Sequence, residues 1–183
     1  MEAYNSAKTI GLTLTSLKGK VERIVVADGY FSYAKHVFHE AGSIDGTEKE
    51  AWKHGAEWIP VPSQYADKGF PDEVSKQNFM LSLVEPGDWL FWLATDEQLI
   101  GGEDLAMYRD RLGSDAIPIR IHTVFHPSLK SEDWYACRFH RYLPGMRFVD
   151  QHYIITAPNL KVSLFMRTMP VETYIQHDKD GEP

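Results

Sequence analysis

The sequence predicts an α/β domain with a mostly parallel sheet in its first 112 residues and mixed or antiparallel strands after it. Three observations predict this. β-branched and apolar runs alternate with helical segments up to residue 112. The remainder, "AIPIRIHTVFH", "WYACRFHRY", "QHYIIT" and "LKVSLF", is almost all strand-like. At 183 residues, with 43% apolar and 13% aromatic content, the chain has the size and composition of one folded unit, residues 1–183. We divide it at 112 into a ligand-binding half (1–112) and a half of added strands (113–183).

Residues 5–18, "NSAKTIGLTLTSLK", predict a helix opened by Asn5 or Ser6, weakened by two threonines and a glycine. "ERIVVA" (22–27) predicts a buried strand that stops at Asp28 and Gly29. In "SIDGTEKEAWKHGAEWIPV", Asp45 and Glu48 have capping-box spacing, Gly55 ends the helix, and 58–61 forms a short strand. Pro71 opens the next helix and "EPGD" closes it. Val74, Asn78 and Leu81 lie on one stripe of that helix, so an amide stands where a hydrophobe is expected. "DWLFWLATDEQL" predicts a core strand tipped by Asp96 and Glu97, followed by a polar helix over 103–112. "LPGM" predicts a tight turn. Ligands of such sheets bind beyond the carboxyl ends of the strands, which draws attention to Asp28 and Asp96.

Composition excludes several classes. Nineteen Lys and Arg against 26 Asp and Glu give a formal charge of −7, and no basic run tracks a phosphate backbone, so nucleic acid is not an expected partner. The single cysteine, Cys137, rules out an internal disulfide and points to a reducing, cytoplasmic setting. There is no 18-residue apolar segment and no secretion signal, although a peripheral membrane contact stays compatible with the sequence.

Four pieces in order, "YNSAKTIGLTLTSLKGKVERIVVADG", "SIDGTEKEAWKHGAEWI", "KQNFMLSLVEPGDWLFWLATDEQL" and "CRFHRYLPGMRFVDQHYI", resemble family-two nucleotide-sugar glycosyltransferases of the GT-A fold, over roughly residues 4–155. The resemblance implies a GT-A-like, Rossmann-like, mostly parallel central sheet flanked by helices. It implies transfer of a sugar from a nucleoside diphosphate sugar to the hydroxyl of a glycan, lipid-linked or protein acceptor, with inversion, assisted by Mg²⁺ or Mn²⁺. Asp28 corresponds to the acid that reads the nucleoside base, Asp45 to that of the Ser-Thr-Asp-Gly-Thr motif, and Lys76 and Asn78 to groups along the diphosphate. Asp96 corresponds to the second acid of the Asp-x-Asp signature and His152 to a histidine that completes the metal site. Asp150 is the candidate base, or else a solvent-facing acid of its strand.

Each assignment has a structural rival. Asp96 and Asp45 fit helix caps, Asp28 fits an Asp-Gly turn, and His152 fits an ordinary strand histidine. His122 and His126 share one side of a strand, and with His36 and His39 they lack a spaced third zinc ligand. Three departures from the family pattern favour an alternative, a degenerate domain that binds nucleotide, sugar or protein without catalysis. Ala94 replaces the first Asp, Gln77 replaces an Arg, and no apolar strand precedes Tyr4. The last departure also raises the expectation of a partner chain that completes the sheet.

Overall fold

The computed structural model describes residues 1–34, 40–103, 105–111, 115–126, 130–150, 154–158 and 172–180. Its first strand, β1, is only Glu2–Ala3. Helix α1 covers Ile10–Leu17, later than the sequence predicts. Asn5 explains the delay: it takes a positive φ of 45° and its side-chain oxygen accepts the Ile44 amide at 3.0 Å, so the predicted helix opening is instead tied to another loop. Gly11, which the sequence reading counts against the helix, lies within it and faces Glu50 of α2 (Thr47–Lys53).

Strand β2 (Val25–Asp28) lies between β1 and β3 (Glu57–Ile59), and all three run parallel. Helix α3 (Glu73–Leu81) starts behind Asp72, whose carboxylate accepts the Ser75 amide at 2.7 Å. Pro71 therefore precedes the cap. The amide on the apolar stripe of α3 is explained by its partner: Asn78 donates to Phe148 O at 3.0 Å and accepts from Phe148 N at 2.9 Å, imitating one rung of a sheet.

The expected mostly parallel central sheet is not what forms. The parallel β1-β2-β3 sheet is small, and β4 (Trp89–Phe91) belongs to a separate five-stranded mixed sheet of order β4-β7-β6-β10-β5. Its other members are β5 (Glu97–Ile100), β6 (Ala116–His126), β7 (Lys130–Arg141) and β10 (Tyr174–Asp180). Within it only β6 and β10 pair in parallel. Two physical reasons stand behind this correction. β1 is too short to join the sheets by more than one bridge, Glu2 to Ala94. The long hairpin β6–β7 then recruits β4 in antiparallel fashion, so strands from both halves of the chain share one sheet. Helix α4 (Leu105–Arg111) and the small antiparallel pair β8 (Arg147–Asp150) and β9 (Ile154–Thr156) complete the described elements. Gly145, at φ 77°, makes the predicted turn before β8.

One apolar cluster joins Ile10, Leu14 and Leu17 of α1 to Val26, Leu93, Leu99, Ile117 and Ile119. A second, on the other side, joins Met80 and Leu81 of α3 to Ala27, Trp92 and Phe148. The two acids that follow the apolar run part company. Asp96 sits in the turn, 47% exposed, whereas Glu97 opens β5, a strand the sequence reading did not anticipate, and turns inward. At 2% exposure it accepts from Arg138 at 2.9 Å and from the Ala94 amide at 2.8 Å.

Candidate functional site

Beyond the carboxyl ends of β1 and β2, and against Ala94 and Thr95 after β4, lies a crevice of about 390 Å³. Its walls carry Tyr4, Tyr30, Phe31 and Tyr33, with Glu2 and Lys76 below. Tyr4 meets Tyr30 edge to face at 5.6 Å, and Phe31 stacks on Tyr33 at 5.5 Å with planes 19° apart. Tyr33 is 67% exposed, so the stacked pair offers an accessible ring face at the mouth. The loop "YFSY" owes its position to Gly29, at φ 122°, and to the bond from Ser32 N to Phe70 O at 2.7 Å. Thr95 is tied to the start of the chain by its hydroxyl on Ser6 Oγ at 3.0 Å.

Lys76 is the buried charge of the site. Helix α3 points it inward, where Nζ donates to Ala3 O at 2.9 Å and Gly29 O at 2.6 Å and lies 5.6 Å from the rings of both Phe31 and Phe70. Two carbonyls and two ring faces hold it, and in return it binds the ends of β1 and β2 together. Burial lowers its ammonium to about 8, with Glu2 and Asp28 acting against that shift. Burial likewise raises the Glu2 carboxyl to about 7, with Lys76 acting the other way. Glu2 Oε1 is buried and has no hydrogen-bond partner among the described residues.

The sequence-predicted residues divide between this crevice and other tasks. Lys76 lines it, and Asp28 lies beside it but is engaged: its carboxylate accepts Gly29 N at 2.8 Å, Ser43 N at 2.9 Å and Ser43 Oγ at 2.7 Å. It anchors the following loop, whose Gly42 is needed because a Cβ would stand 2.8 Å from Asp28 Oδ2. Asp45 accepts Thr47 N at 3.0 Å and Ala7 N at 2.9 Å. Partial burial pushes its carboxyl up, and these hydrogen bonds more than offset that, leaving it below its usual value. Asn78 faces β8, away from the crevice. Asp150 ends β8 opposite Ile154, but its side chain lies outside the described residues, as do His152, His36, His39 and the side chain of His126. His122 bonds Asp133 at 2.8 Å.

Asp96 meets a histidine, though not the expected one: His177 Nε2 of β10 stands 3.2 Å from its Oδ2. Among the described residues no three His, Cys, Asp or Glu side chains gather into a metal-binding group. A carboxylate with an imidazole still fits the protein's share of an octahedral Mg²⁺ or Mn²⁺ site, where phosphate oxygens and water fill the remaining positions.

The sequence reading missed Glu2, the aromatic walls and His177. The run "YFSY" directly after the Asp-Gly strand end was the available signal for the walls. Glu2 and His177 had none, because each acquires its role from a partner 70 or more positions away. No protein-family model matches the chain, and no curated protein matches it. No helix among the described residues is long and apolar enough to cross a membrane.

Proposed function

We propose that the chain binds a nucleoside diphosphate sugar in the aromatic crevice and transfers the sugar to an acceptor hydroxyl. The observation that carries this reading is the crevice itself: ring faces for a planar base, and a buried ammonium beneath, at the carboxyl ends of two parallel strands. Phe31 and Tyr33 supply stacking for the base. Lys76 contributes positive potential from beneath, with two of its three protons committed to Ala3 and Gly29. Glu2, near neutrality at about 7, sheds its repulsion toward a diphosphate by taking a proton. Asp96 and His177 would hold Mg²⁺ or Mn²⁺, which when bound neutralises charge on the departing diphosphate. Asp150 is the base we assign, from the sequence alone, to the acceptor proton. A single cysteine fits a cytoplasmic enzyme.

A second reading, binding without transfer, draws support from Ala94. It stands where the family pattern has an acid, and its amide is already held by Glu97. Thermal unfolding against a panel of nucleoside diphosphates, each with and without Mn²⁺, tests both. Ligand at about 100 times its Kd adds roughly 2.7 kcal/mol, a shift of several degrees. A shift with one nucleotide, together with transfer activity lost in Asp96→Ala, supports transfer. A shift without activity supports nucleotide binding without transfer, and no shift with any nucleotide refutes transfer and leaves the second reading with sugar or protein as its ligand.

A further inference from the structure

The core-facing side of the five-stranded sheet changes character at one of its ends. Leu99, Ile175 and Ile121 stand in register on β5, β10 and β6, and all three are buried in the first apolar cluster. The fourth member of their row, Trp134 on β7, is 40% exposed and belongs to neither apolar cluster of the described residues. Its indole is nevertheless held in place, because Nε1 donates to Thr123 Oγ1 at 3.3 Å. That bond fixes the side of the sheet on which the ring lies, since Thr123 is buried and shares its face with Ile121. A large ring that is pinned but left outside the core has a free surface to offer.

The next row is polar. Glu97, His177, Thr123 and Glu132 stand in register across the same four strands, and therefore on the same face. Glu97 is committed to Arg138, His177 reaches Asp96, and Thr123 holds the indole, whereas Glu132 is exposed. Neighbouring strands lie about 4.8 Å apart, so β7 at Glu132 is about 10 Å from β10 at His177. The Trp134 indole reaches back over half of that distance, to Thr123 on β6. Ring, carboxylate and the Asp96–His177 pair thus share one short stretch of surface.

This combination suits a sugar. The C–H face of a pyranose carries weak positive charge and packs on the negative face of an indole, while a carboxylate accepts strong hydrogen bonds from the ring hydroxyls. It does not suit an alkyl chain, because the β7 stretch beside the ring, Ser131–Asp133, is polar and exposed. We propose that Trp134 seats the sugar ring of a glycan acceptor, with Glu132 holding one hydroxyl and another directed along the row toward Asp96 and His177. The acceptor role rests on the transfer reading, and it selects a glycan from the acceptors open to that reading. Thr123 is a positioning residue, acting through the indole it holds.

The test titrates four probes without nucleotide or metal: the methyl glycosides of glucose, galactose, mannose and N-acetylglucosamine, at up to about 50 mM. The indole N–H resonance of Trp134 is identified by its loss in Trp134→Phe and followed through each titration. At least one glycoside is expected to shift it saturably. Saturation transfer to the sugar protons then reads the variants: Trp134→Ala should weaken that glycoside about tenfold, and Trp134→Phe, Thr123→Val and Glu132→Gln each about threefold. Trp134→Phe keeps a ring in place and carries the test if the alanine variant does not fold. No saturable shift with any of the four, or undiminished binding in Trp134→Phe, overturns the proposal. So does equal binding of acetyl-serine amide, a hydroxyl without a sugar ring. A nucleotide-induced thermal shift without glycoside binding refutes the acceptor seat alone, whereas glycoside binding without any nucleotide shift supports the sugar seat and refutes transfer.

Discussion

Acetylating the amine of Met1 should stabilise the folded chain strongly at pH 6 and hardly at all at pH 9. In the folded state the amine is buried, donates to Val25 O at 3.0 Å and has its pKa lowered by burial from 8.0 to about 5. Between those values the unfolded chain binds a proton that the folded chain does not. Stability must therefore rise with pH across that window and level off above 8. At pH 6 the unfolded amine is almost fully protonated and the folded one is mostly neutral, a difference of about two pH units, or roughly 3 kcal/mol. Below pH 5 the cost reaches its limit of about 4 kcal/mol.

An acetyl amide keeps one N–H for Val25 and removes the titration, and its added atoms enter the cavity that Met1 already lines. The acetylated chain is made by ligating a synthetic N-terminal peptide. Unfolding by urea is then compared with the free-amine chain at both pH values. Glu2, raised to about 7, has the opposite slope, but it is present in both chains and largely cancels in the difference. An equal change in midpoint at pH 6 and pH 9 would show that bulk rather than charge is responsible. Loss of stability at pH 6 would refute the burial argument outright.

Replacing Asn78 by Leu leaves Phe148 N–H and C=O without their partners, and should cost about 1–3 kcal/mol in denaturant midpoint while sparing nucleotide binding, since β8 is remote from the crevice. Glu97→Gln and Arg138→Met each strand half of a buried ion pair, 2% and 5% exposed, and should cost about 3–5 kcal/mol. The double variant should cost well under their sum in the same assay. Nucleoside diphosphate binding, measured by calorimetry, should be tighter at pH 6 than at pH 9. At pH 6 Glu2 holds a proton and Lys76 is charged, while above about 8 Glu2 is ionised and Lys76 loses its proton. Equal affinity at the two pH values would remove Lys76 and Glu2 from the electrostatics of the site.

Local chemistry explains which elements could be read from sequence. The α2 region was legible in part: Gly55, at φ 77°, follows the helix end as read, whereas the Asp45–Glu48 capping box does not form, since Gly46 is the N-cap and Asp45 accepts Thr47 N instead. The β6–β7 hairpin was legible because its apolar and β-branched runs are long. Sheet assembly was not, since β4 pairs antiparallel with β7, far along the chain, and no local signal in either apolar run fixes that partner or its direction. Asn78 stood out as an anomaly on its stripe, but its partner Phe148 lies 70 residues away. Similarly, an Asp at a strand tip was read as facing ligand, whereas the structure commits Asp28 to Ser43 and gives the crevice to aromatic rings.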